Sequence, residues 1–172
     1  MSATSANKSA IRKEFVIARL FDAPCETVWK AFTEPGHLKR WWGPKGFTVE
    51  RCSVDLRPGG LFHYCLRAPD GQAMWGRFVY REIVAPQRLA YVVSFSDETG
   101  GVTRHPMHPT WPLEMTSTTE FANEGGKTKV TVRWAPLNAT EEERRTFDDG
   151  HESMRQGWGG TFDQLAAYLA AA

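Results

Sequence analysis

The chain has 172 residues, 41% of them apolar and including 7 Trp and 10 Phe, which is enough for a sizeable core and incompatible with a disordered chain. Its 21 Lys and Arg balance 20 Asp and Glu to a net charge of +1, so nothing in the charge argues for a nucleic-acid partner or an anionic membrane surface. No apolar run approaches the roughly 20 residues needed to span a bilayer, so membrane insertion is not expected. The three cysteines, Cys25, Cys52 and Cys65, follow no metal-ligand spacing, which suits reduced, core-type thiols in a cytoplasmic protein.

Residues 1–13 are polar and small and read as a tail, leaving residues 14–172 as a single domain. Glu14 to Phe21 reads as a strand. Pro24 then opens a short helix in which Cys25, Val28, Trp29 and Phe32 fall on one face at i, i+3, i+4 and i+7. Glu34-Pro35-Gly36 ends that helix, and a second short one over His37 to Trp41 leads into a Trp41-Trp42-Gly43-Pro44 corner.

From Phe47 the period changes to two. Strands are predicted over Phe47 to Val54, Leu61 to Arg67, Met74 to Ile83, Leu89 to Phe95, Met115 to Phe121 and Thr128 to Trp134. Turns at Asp55-Leu56-Arg57-Pro58-Gly59-Gly60, Pro69-Asp70-Gly71, Ala85-Pro86-Gln87 and Glu124-Gly125-Gly126-Lys127 join them into an antiparallel meander. The segment from Ser96 to Pro112 is too long for a hairpin loop and is expected to be the mobile element, of the kind that forms lids.

Thr140 with Glu143 is a capping-box pattern that starts the last helical segment, and Glu141 to Glu143 place negative charge where the helix dipole favours it. Phe147, Met154, Trp158, Leu165 and Leu169 form a stripe near helical period, interrupted by Gly150, Gly157, Gly159 and Gly160. Each glycine costs about 1 kcal/mol against alanine inside a helix. Four of them imply a break at Gly150, a kink, or close approach of another backbone. The fold class is therefore α+β, with a long helix laying its stripe on the concave face of a curved antiparallel sheet of about six to seven strands. Large rings beside missing side chains predict a partly hollow core.

Phe21-Asp22-Ala23-Pro24, Val28-Trp29-Lys30-Ala31-Phe32, Trp41-Trp42-Gly43-Pro44 and Asp55-Leu56-Arg57-Pro58-Gly59-Gly60 resemble homologues of the activator of the heat-shock-protein-90 ATPase, within the START-like (SRPBCC) superfamily. Pro86-Gln87-Arg88-Leu89, Thr128, and Gly157-Trp158 with Leu165 to Leu169 continue the resemblance, which runs from about Glu14 to the C-terminus. It implies the helix-grip fold and an apolar or amphipathic ligand held between sheet and helix. Eukaryotic activators also engage the chaperone through a separate N-terminal domain, for which residues 1–13 leave no room, so chaperone binding is not the expected role.

The candidate cavity residues are Trp41, Trp42, Arg57, His63, Trp75, Glu114, Met154, Trp158 and Phe162. Trp41 and Trp42 suit either a cavity mouth or core and strand-edge packing. Arg57 could orient a ligand head or pair with Asp55 to fix its turn. His63, if it points inward with Leu61 and Cys65, is a polar group in an apolar void and must find a partner. Trp75 and Glu114 are similar candidates, and Met154, Trp158 and Phe162 serve as core or wall. His105-Pro106-Met107-His108 has no companion ligand at metal-site spacing and reads as an exposed loop, so neither a metal nor a cofactor is expected. No nucleophile elbow or phosphate-cradling glycine loop occurs.

The leading expectation is non-catalytic binding of an apolar or amphipathic small molecule. A cyclase- or hydrolase-like enzyme with His63 or Glu114 as general base is the second, and a co-chaperone interaction module the third. An exposed strand edge would allow a homodimer.

Overall fold

The computed structural model describes residues 14–171; the tail expected over residues 1–13 lies outside them. Eight strands and four helices follow in the order β1 (Phe15–Phe21), α1 (Cys25–Thr33), α2 (Pro35–Trp41), β2 (Thr48–Val54), β3 (Leu61–Arg67), β4 (Ala73–Val84), β5 (Arg88–Ser96), β6 (Val102–Thr103), β7 (Glu114–Glu124), β8 (Lys127–Leu137), α3 (Glu141–Asp149) and α4 (His151–Ala171). The strands form one antiparallel sheet in the order β1-β8-β7-β5-β4-β3-β2, with β6 paired to β5 off this path. β1 closes the meander by pairing with β8, from Phe15 opposite Trp134 to Phe21 opposite Thr128. Register shifts within β2 and β4 mark bulges, which bend strands.

Two boundaries differ from the sequence expectation. Glu34-Pro35-Gly36 does not separate the first two helices: Glu34 caps the end of α1 and the start of α2, and Pro35 occupies the first turn of α2, where its missing N–H costs nothing. The segment after β5 contains a short strand, β6, held by a turn in which the Asp97 carboxylate accepts from the Thr99 and Gly101 backbone N–H groups. Two residues are too few to show a period.

The capping box forms as its pattern predicts. The Thr140 hydroxyl accepts from the Glu143 N–H at 3.1 Å, and the Glu143 carboxylate accepts from the Thr140 N–H at 2.9 Å. Gly150 then separates α3 from α4.

α4 is fastened along its C-terminal half. Phe162 and Leu165 are fully buried, Asp163 pairs with Arg19 on β1 at 2.6 Å, and the Gln164 amide donates to the Gly43 and Pro44 carbonyls. His37 and Tyr168 share a hydrogen bond further along. At Gly160 the corner backbone comes so close that a Cβ would stand 3.2 Å from the Lys45 nitrogen, whereas a Cβ at Gly157 would meet nothing within 4 Å. One glycine admits a neighbour and the other leaves space.

The two glycines should therefore respond oppositely to alanine. Gly157→Ala is expected to raise stability by up to about 1 kcal/mol through helix propensity alone, while Gly160→Ala sets that gain against a backbone contact it cannot easily relax. Urea denaturation should place Gly160→Ala at least about 1 kcal/mol below Gly157→Ala.

Candidate functional site

Between the unfastened half of α4 and the concave sheet face lies a cavity of about 610 Å³, within the range of small-molecule sites. Tyr64 and Leu66 of β3, Gly76 and Phe78 of β4, and Trp134 of β8 form its sheet wall. α4 faces them with Met154, Gly157, Trp158 and Thr161. Trp42, Gly43 and Pro44 close one side. His105, His108 and Trp111 from the segment between β6 and β7, with Asp149 and Gly150 at the end of α3, close another.

The walls are aromatic and mutually braced. Trp42 meets Phe62, Tyr64 and Phe78 on the sheet, and Trp158 on the helix, in edge-to-face contacts with centroids 5.5–5.8 Å apart. Such pairs contribute about 0.5–1.5 kcal/mol each beyond the area they bury. Tyr64 lies over its cross-strand partner Gly76, where a Cβ would fall 2.3 Å from the Tyr64 hydroxyl. Burial pushes the Tyr64 phenol well above its ordinary range, with a hydrogen bond from Trp42 opposing the shift.

The candidate residues divide around this space. Trp42, Met154 and Trp158 line it together. Trp75 borders it, but its ring stacks on His63 with centroids 5.0 Å apart, on the opposite side of β4 from Gly76 and Phe78. The other five lie outside. Trp41 is 1% exposed and donates its indole N–H to the Ala31 carbonyl at 2.9 Å, tying α2 to α1. Phe162 packs beneath Trp158 against Phe21. Arg57 is exposed and fixes its own turn by donating to Asp55 at 2.8 Å. His63 points away from the cavity because Phe62, Tyr64 and Leu66 take the concave face of β3, and its Nε2–H donates to the Asp97 carbonyl. Glu114, the first residue of β7, sits opposite Leu137 at the end of that strand and is no part of the wall.

The segment expected to be an exposed, mobile loop also contributes to the wall: residues 106–109 are exposed, while flanking residues anchor it to α3. Arg104 pairs with the buried Glu143, the hydroxyls of Thr110 and Thr146 share a hydrogen bond at 2.8 Å, and the Trp111 ring packs on Phe147. Hydrogen bonds from the Thr140 backbone, and then from Arg104, hold the Glu143 carboxyl below the usual range. His105 bridges back into its own turn: Nδ1 accepts from the Met107 and His108 N–H groups at 3.0 and 3.2 Å. Burial, reinforced by nearby His108, lowers the His105 pKa. No group of three or more His, Cys, Asp or Glu stands ready to hold a metal among the described residues. None of the described helices is long and apolar enough to cross a membrane.

Residues 22–170 match the family described as activator of Hsp90 ATPase homolog 1-like protein. The chain belongs to that family. None of the curated proteins matches it. Among solved structures, a protein from Nitrosomonas europaea is 27% identical with a TM-score of 0.72, over 93% of this chain and 96% of that one. A protein from Arthrobacter aurescens is 26% identical with a TM-score of 0.75, over 94% and 88%. A Mycobacterium smegmatis protein at 24% identity and a TM-score of 0.76, over 94% and 93%, shares the fold. The helix-grip architecture is common to this set.

Two outcomes follow from the wall's construction. Gly76→Ala should drive the Tyr64 ring off its floor and cost about 1–3 kcal/mol, the range for overpacking, measured by thermal or urea unfolding. Acidification acts on His105. Its native pKa lies below the ordinary value of about 6.5, so as pH falls through that window the unfolded chain binds the proton first and stability is lost. Protonating Nδ1 also breaks both turn hydrogen bonds. The drop in Tm between pH 7.5 and 5.5 should shrink in His105→Asn, whose Oδ1 can accept the same two N–H groups without titrating.

Proposed function

We propose that this protein binds an apolar or amphipathic small molecule, without chemical change, in the cavity between the sheet and α4. The observation that carries this reading is a space of about 610 Å³ walled by Trp42, Tyr64, Phe78, Trp111, Trp134 and Trp158. So large an apolar opening in a 172-residue chain forgoes burial that a filled core would have gained. An occupant of about 20 non-hydrogen atoms, at roughly 0.3 kcal/mol per atom, would bind with about 6 kcal/mol, a Kd of tens of micromolar. Three free thiols, two half-buried and one buried, fit a reducing compartment, and we place the protein in the cytoplasm.

The enzymatic alternative named His63 and Glu114 as bases. Neither reaches the cavity, and a general base must lie within hydrogen-bond reach of its substrate.

Gly157 offers the direct test, since its missing side chain opens onto the cavity. A panel of fatty acids, aromatic compounds and polyketides should include members that raise Tm and change tryptophan emission in the unaltered protein. Gly157→Leu, which stays folded but projects into the void, should lose those responses at least tenfold. A panel that leaves Tm and emission untouched in the unaltered chain would overturn the proposal, as would equal binding by Gly157→Leu.

A further inference from the structure

The polar groups of the cavity wall differ in what they offer a guest. The indole nitrogens of Trp111 and Trp134 are sealed inside the wall and reach nothing in the cavity. The Thr161 hydroxyl is committed to the Gly157 carbonyl at 2.9 Å, and that of Thr146 to the Glu142 carbonyl and Thr110. Ser94 lies on the face of β5 opposite to Val93 and Phe95. The Tyr64 hydroxyl is the exception.

Its place is fixed at the oxygen itself. β3 turns Tyr64 to the concave side, where its cross-strand partner on β4 is Gly76, and both line the cavity. A Cβ built on Gly76 would project from that same face and stand 2.3 Å from the Tyr64 oxygen. The hydroxyl therefore occupies the space that a side chain at position 76 would have filled, on the cavity floor. The rings of Trp42, Phe62 and Phe78 hold the phenol from the side, with centroids 5.7, 4.9 and 5.9 Å away, so it is already oriented before any guest arrives.

The direction of its proton follows from its neighbour. The Trp42 indole hydrogen-bonds the Tyr64 oxygen, and an indole nitrogen can only donate, so the phenol accepts there and keeps its own proton for another acceptor. Burial holds the phenol in its protonated form. Accepting from Trp42 also makes the hydroxyl a stronger donor. No Lys or Arg lines the cavity among the described residues, so a carboxylate brought inside would lose its hydration and meet no cation in exchange. An uncharged acceptor escapes that penalty.

We propose that the Tyr64 hydroxyl is the polar anchor of the cavity, donating to an uncharged oxygen, a carbonyl being the simplest, on an otherwise apolar guest. This rests on the ligand-binding reading of the cavity and adds where the guest's polar end sits: over Gly76, against the sheet. Fatty-acid anions are disfavoured, although their tails would suit the walls.

Three probes with one two-ring body test this: benzophenone, diphenylmethane and diphenylacetate, titrated by calorimetry into the unaltered protein and into Tyr64→Phe, which keeps the ring over Gly76 and removes the donor. Tyr64→Phe should leave diphenylmethane binding within about twofold and lower the ratio of ketone to hydrocarbon affinity about three- to tenfold, the margin of one hydrogen bond. Diphenylacetate should bind the unaltered protein more weakly than the ketone. In infrared spectra the carbonyl stretch of ¹³C-labelled benzophenone should lie lower when bound to the unaltered protein than when bound to Tyr64→Phe. An affinity ratio unmoved by Tyr64→Phe, the same carbonyl frequency in both proteins, or tighter binding of diphenylacetate would overturn the anchor while leaving the cavity as a binding site. Binding of none of the three to the unaltered protein would overturn both.

Discussion

The ring of Trp42 is wedged between helix and sheet, and the hollow depends on it. It touches Phe62 and Phe78 on one side and Trp158 on the other, so α4 cannot settle onto the strands at that point. Fastening at Asp163, Gln164 and Tyr168 fixes the far half of the helix, where Phe162 and Leu165 complete an ordinary filled core. The same helix is thus packed to completion at one end and propped open at the other. Its residues divide accordingly: Gly160 where a backbone presses in, Gly157 where nothing does.

The wall opposite β3 shows how a long connection becomes structure. Asp97 closes a tight turn, β6 adds two residues to the sheet, and Arg104, Thr110 and Trp111 then attach the chain to α3. Membership of the family described as activator of Hsp90 ATPase homolog 1-like protein agrees with the helix-grip frame, while the lining of the cavity is set by the side chains of this chain.

Much of this was legible from residue order alone. Period-two alternation located six of the eight strands, the Thr140–Glu143 pair located the start of α3, and the glycines of the last helix pointed to missing bulk. Alternation says that neighbours face opposite sides, but not which side is concave. That single ambiguity put His63 on the wrong face; the signal that resolves it is the larger apolar set Phe62, Tyr64 and Leu66 beside Leu61, His63 and Cys65. The same pleat turns the Trp75 ring outward to stack on His63. Trp41 and Trp42 end one short helix side by side, and only the docking of α2 decides which of them is core. His105, Trp111 and Trp134 carried no local pattern for a cavity wall, because the segments they come from meet only in the folded chain. Tyr64 over Gly76 did have a signal, a large ring opposite a glycine in adjacent strands, but reading it requires the register.

Glu143 serves two masters. Its carboxylate accepts from the Thr140 N–H that begins α3 and from Arg104 in the segment covering the cavity. Peeling that cover away removes a charge from a helix end, and fraying the helix end loosens the cover. The bracing of the segment beside the cavity and the first turn of α3 therefore share one carboxylate, so that loosening either bears on the other.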